Sequence, residues 1–191
     1  ARHMTIEIAQ STHYVLTSAV SAIRAQYAGV QAAINGETLT TPYLCPDLLP
    51  ECVAGTAWPN PPGGGSTWVG CMVITQTEQP AFALTVSRTV YQLRTICGVR
   101  ATGLRTTSVP PVVVDDPDLT GQDYGWNTGS LMASCVSTVL IRHLTDYAGI
   151  YSAVLRGQIA LPGDPLAGND TFGYQIDIDV HLMTYSAALT V

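Results

Sequence analysis

The stretch YQIDIDVHLMTY, from Tyr174 to Tyr185, constrains the fold more than any other. Side chains of a strand alternate between two faces, so Tyr174, Ile176, Ile178, Val180, Leu182 and Thr184 share one side. Gln175, Asp177, Asp179, His181, Met183 and Tyr185 share the other, giving one apolar and one mostly polar face. Twelve residues at ~3.3 Å each span about 40 Å, roughly twice an ordinary strand. A strand of that length needs a partner to match, and Ala83 to Val99 offers one. A sheet built on this pair is the expected core.

The 191 residues fit a single domain, 1–191, large enough to bury a core without covalent staples. Only 12% of residues are charged while 47% are apolar, a low charge fraction for a globular surface. Two readings follow: copies of the chain cover one another, or the monomer has a polar, uncharged surface. All eight basic residues are Arg. The absence of Lys excludes Schiff-base chemistry and a Walker-type phosphate loop, both of which need an amine. A net charge of −6 argues against a sequence-independent grip on nucleic-acid phosphates. No run approaches eighteen apolar residues, so no membrane-spanning helix is expected, and the first residues lack the apolar core of a signal peptide.

The five cysteines, Cys45, Cys52, Cys71, Cys97 and Cys135, are an odd number for a disulfide framework and lack the paired spacing of a zinc site. Cys71, Cys97 and Cys135 sit in apolar surroundings and read as small core residues. Cys45 and Cys52 flank a proline-containing loop, where a local disulfide is one reading and two separate thiols the other.

Along the chain, a helix is expected from Ser11 to Asn35, with Leu16, Val20, Ile23, Tyr27, Val30 and Ile34 at three- and four-residue steps. Ser11 or Thr12 would cap it, and Asn35-Gly36 would stop it. Residues 37–67 are rich in proline and glycine, which disfavours regular structure. Tyr43, Leu44, Leu48, Leu49, Val53 and Trp58 within it need cover, so this insertion should dock on its own domain or on a neighbour. Trp68 to Thr75 reads as a buried strand, and Gln76 to Pro80 as a turn into the long strand. That strand changes apolar parity midway, which predicts a β-bulge near Val90. A second helix is expected over Leu131 to Tyr147, capped by Thr128 or Ser130 and stopped by Gly149. Its stripe is Leu131, Cys135, Val136, Val139, Leu140, His143, Leu144 and Tyr147, with His143 a hydrogen-bonded boundary residue. Ile150 to Gly157 either prolongs this helix or begins a return, and Ile159 to Asp170 reads as a turn-rich approach to the last strand. The expected class is α+β: a largely antiparallel sheet with two long helices packed on one face, plus the insertion.

No catalytic motif or cofactor fingerprint is present, and neither an enzyme activity nor a cofactor or metal is expected. Asp177, Asp179 and His181 alternate on one strand face, where they could hold a metal or run acid–base chemistry. The simpler reading makes them the solvent or lumen side of a sheet, and in a ring they would make that lumen negative. Arg88, Arg94, Arg100 and Arg105 cluster on or just beyond the long strand. Asp115, Asp116, Asp118 and Asp123 cluster in the loop 108–126, whose spacing does not fit an EF-hand. Opposite clusters of this kind suit the two unlike patches of a head-to-tail ring, and the Arg and Asp residues are the expected interface. Pairing within one chain, or solvation, is the alternative.

The element order and strand pattern, WVGCMVIT, TVYQLRTICGV, a helix and then FGYQIDIDVHLMTY, resemble the tail terminator proteins of long-tailed phages. The resemblance implies a virion protein forming a homo-oligomeric ring, a hexamer, at the head-proximal end of the tail. Its partners would be copies of itself, tail tube and neck proteins, with DNA only as passing cargo and no membrane. The insertion and the acidic loop make this chain longer than compact members of that family. Two other classes stand beside it: a different virion tube or neck component, and a secreted carbohydrate-binding or hydrolytic domain using Trp58, Trp68 and Trp126.

Overall fold

The computed structural model describes residues 8–37, 43–55, 67–83, 86–100, 121–161 and 171–185. Helix α1 spans Ile8–Gly36 and helix α2 Gly121–His143, and the strands are β1 (Val53–Ala54), β2 (Thr67–Ala83), β3 (Val86–Arg100), β4 (Ile150–Leu161) and β5 (Thr171–Tyr185). They form one sheet in the order β1-β2-β3-β5-β4, antiparallel except for β1 on β2. The fold is the α+β arrangement expected, with both helices over one sheet face.

The centre of the sheet is the pairing of β3 with β5. It runs from Val86↔Tyr185 to Arg100↔Thr171 without a register shift. Because pairing is unbroken, parity is preserved along both strands. Tyr91, Leu93, Cys97 and Val99 meet Ile176, Ile178, Val180 and Leu182 on the helix-covered face, all of them buried. The expected bulge near Val90 is therefore absent. Val86 and Val90 lie on the other face of β3, half-buried, and the change of apolar parity records apolar residues on both faces rather than an extra residue. Irregularities sit instead on β2, between Val73 and Thr75 and again between Gln79 and Ala83. Nor is Gln76 to Pro80 a turn: β2 continues through it, with Gln79 opposite Arg88.

Helix α1 buries Val15, Ala19, Ala22, Ile23 and Tyr27. This stripe is rotated from the expected one, leaving Leu16, Val20, Val30 and Ile34 at the rim of the core. The small side chains of Ala19 and Ala22 let the helix approach its neighbours closely. A hydrogen bond between the Ser11 and Tyr91 hydroxyls ties the start of α1 to β3. Helix α2 buries Met132, Cys135, Val136, Val139 and Leu140, and the 3₁₀ turn that follows buries Leu144. It begins earlier than expected, so Thr128 is no cap but a fully buried residue inside the helix. Gly149, at φ +84°, makes the turn into β4, a conformation that suits glycine because it has no Cβ. Ile150 begins this strand, and Ile159 to Leu161 belong to it.

Within the insertion, residues 43–55 dock on their own domain. One face of α1 holds them by polar contacts: the Tyr27 hydroxyl donates to the Pro46 carbonyl at 2.8 Å. Gln31 Nε2 donates to the Cys45 carbonyl at 3.1 Å and to Asp47 Oδ1 at 2.7 Å. Asn35 brackets Cys45, accepting from its N–H at 2.8 Å and donating to its carbonyl at 3.1 Å. Arg24 donates to the carbonyls of Pro50 and Val53 at 3.0 and 2.6 Å. The disulfide read as one option for Cys45 and Cys52 does not form, and all five cysteines are reduced and buried. Trp58 and residues 59–65 lie outside the described residues.

Leu140 is fully buried at the centre of the α2 stripe. Leu140→Ala should cost about 2–5 kcal/mol of stability, measured by urea unfolding, because the cavity cannot fully collapse. An unchanged midpoint would remove α2 from the core.

Candidate functional site

The sheet face opposite the helices collects the polar side chains of β3, β4 and β5. Cross-strand register decides which of them meet. Arg94 stands opposite Asp177, and its guanidinium grips the carboxylate with both arms, Nε to Oδ1 at 2.8 Å and Nη2 to Oδ2 at 3.0 Å. Gln175 Nε2 adds a third donor at 3.0 Å. The Arg94 hydrogen bonds hold the Asp177 carboxyl below its ordinary pKa, against the opposing effect of burial. One step along β5, Asp179 accepts from Arg156 Nε at 3.2 Å. One step further, the His181 ring meets Tyr151 edge-on at 5.7 Å between centroids. The Arg88 guanidinium lies 5.9 Å from the Tyr151 ring centre.

Two irregularities on β4 make the last three contacts. Its pairing with β5 skips Tyr151 and Arg156, the extra residues of two bulges. A bulge re-aims its extra side chain, and these two side chains reach His181 and Asp179.

This arrangement alters the expectation for Asp177, Asp179 and His181. Both carboxylates are engaged by arginines of the same chain. Among the described residues no group of three or more His, Cys, Asp or Glu side chains is placed to hold a metal ion. Nor is the face negative among the described residues: Arg88, Arg94, Arg100 and Arg156 lie on it with Asp177 and Asp179, four positive charges against two negative, although the whole chain carries −6. Of the basic cluster, Arg94 is thus spent within the chain, and Arg88 and Arg100 lie on the same face of β3. Arg105, Asp115, Asp116 and Asp118 lie outside the described residues. Asp123 and Trp126 fall in the first turns of α2. Trp68 is buried, its ring against Gly98, where an added Cβ would lie 2.1 Å from it, so it cannot serve as a sugar-stacking platform. His143 bonds Asp146 at 3.0 Å, as a boundary residue should.

What the sequence reading missed is an edge. Strand β4 closes one side of the sheet, and its outer rim has no strand beyond it among the described residues. Four of its side chains are apolar and exposed, Tyr151 and Leu155 at 40%, Val154 at 51% and Ile159 at 56%. On the opposite side, among the described residues, β1 covers only Val69 and Gly70 of β2, leaving the rest of that strand a second open rim, with Ile74 exposed. The signal was present in IYSAVLRGQIAL, an apolar run between the glycine turn and Pro162.

A second group of reactive side chains lies inside. Burial pushes the Cys71 thiol up to about 12 and raises Cys97 as well, so neither is a nucleophile. No helix among the described residues is long and apolar enough to cross a membrane. The chain matches no protein-family model and no curated protein.

The Arg94–Asp177 pair makes a prediction for acid stability. Asp177 has a depressed folded-state pKa, so its contribution is complete above the ordinary carboxylate value of ~3.9 and is lost as pH falls through the lower folded value. Unfolding measured from pH 6 down to pH 2 should show this loss, and Asp177→Asn should flatten it. A double-mutant cycle on Arg94→Ala and Asp177→Ala should give a coupling of about 1 kcal/mol, since Asp177 is 15% and Arg94 30% exposed. Zero coupling would make the pair incidental.

Proposed function

We propose that this chain is a structural virion protein that assembles with copies of itself into a ring closing the head-proximal end of a phage tail. The observation that carries the assembly is that the sheet, among the described residues, has two long, unlike, open rims. An exposed strand edge presents unpaired backbone groups to any other strand, and soluble proteins ordinarily blunt such edges with charge, proline, bulges or cover. Strand β4 has two bulges and one charged residue, Arg156, yet it exposes four apolar side chains, Tyr151, Val154, Leu155 and Ile159.

Two different rims on opposite sides of one subunit favour a head-to-tail contact, which closes into a ring when the rotation allows. The ring reading also fits the lightly charged composition. Placement at the tail end rests on the resemblance in element order and strand pattern to tail terminator proteins. On that reading the partners are tail tube and neck proteins, DNA is passing cargo, and the sheet carries no catalytic chemistry.

Native mass spectrometry and light scattering test the reading. The expected mass is about six times the 20.2 kDa of one chain. Val154→Glu combined with Ile159→Glu should reduce the assembly to monomers while leaving the far-ultraviolet circular dichroism unchanged. Open-ended polymers of the unmodified chain would favour a tube component, and a stable unmodified monomer would overturn assembly altogether.

A further inference from the structure

The docked segment 43–55 brings Cys45 to α2. Its Sγ lies 3.6 Å from the Leu131 carbonyl oxygen and 3.4 Å from the Tyr27 hydroxyl. One helical turn beyond Leu131, Cys135 directs its own Sγ to the Tyr27 carbonyl at 3.7 Å. Four residues before Cys135 in α2, Leu131 offers the carbonyl that the Cys135 N–H takes within the helix, so the Cys45 sulfur rests on the turn that leads into Cys135. Hydrogen bonding between the two side chains lowers the Cys45 thiol pKa and raises that of Cys135. Neither belongs to the polar sheet face, and nothing in the assembly reading uses them.

We infer that Cys45 and Cys135 form a dormant cross-link site, in which oxidation joins the docked segment to α2. The chemistry needs a two-electron oxidant of the peroxide class. The Cys45 thiolate attacks the peroxide, breaking its O–O bond, taking one oxygen as a sulfenic acid and releasing water. Cys135 then attacks that sulfur, the S–S bond forms, and the second oxygen leaves as water. Two thiols and one hydrogen peroxide thus give one disulfide and two waters. Both sulfurs are fully buried, so the reaction waits on opening of the segment, whose latch at Cys45 is the pair of hydrogen bonds to Asn35. The new bond would span ninety residues of chain, a long loop whose closure restricts the unfolded state strongly.

Disulfide mapping of the whole protein tests this without a variant. After incubation with millimolar hydrogen peroxide, non-reducing digestion should yield a peptide joining Cys45 to Cys135, 2 Da lighter than the two reduced halves and cleaved by dithiothreitol. The thermal midpoint should rise by roughly 5–10 °C and fall back on reduction. Asn35→Ala should speed the cross-link several-fold by loosening the segment, and Cys52→Ser should leave it intact. Two unmodified thiols after prolonged exposure, a sulfinic acid at Cys45, or a Cys45–Cys52 peptide in its place would each overturn the inference.

Discussion

The pairing of β3 with β5 is the constraint on which the rest depends. Fifteen consecutive register partners fix every side chain of two strands to one face or the other, because a slip of one residue would exchange the faces. Burial of Ile176, Ile178, Val180 and Leu182 on one side is what makes such a slip costly. The same register places Arg94 against Asp177, so the polar face inherits its order from the apolar one. The helices follow, since α1 and α2 have one continuous apolar surface of fixed spacing to cover.

Around that surface the helices divide their work. Helix α2 fills space with aliphatic side chains and Met132, whereas α1 combines small residues toward the core with a polar edge of Arg24, Tyr27, Gln31 and Asn35. That edge satisfies the backbone of residues 45–53, which otherwise would bury unpaired carbonyls. A proline-containing segment without a ladder of its own is thereby made part of the core.

Much of this was legible from residue order, and the exceptions have physical causes. The two faces of Tyr174–Tyr185 follow directly from alternation, as do the long partner strand and the existence of both helices. Gln76 to Pro80 read as a turn because QTEQP is polar, yet these are strand residues, and Gln76 to Gln79 are exposed at the sheet rim. Strand β4 escaped because its bulges at Tyr151 and Arg156 reset the alternation twice within twelve residues. Period-two patterning cannot survive that. The pairing of Arg94 with Asp177 was not legible either, since 83 residues separate them and only the register joins them. The basic residues of β3 suggested contacts between subunits, while Arg94 turned out to be engaged at home.

The long central ladder also sets how the molecule bears load. Tension along the strands is shared by every rung of β3 and β5 at once, and no rung yields before its neighbours. Tension across the sheet opens rungs one after another, beginning where β4 is already interrupted at two places. Such a ladder makes the molecule stiffer along its strands than across them. A body built this way transmits pull along its strands and absorbs misfit at its rim.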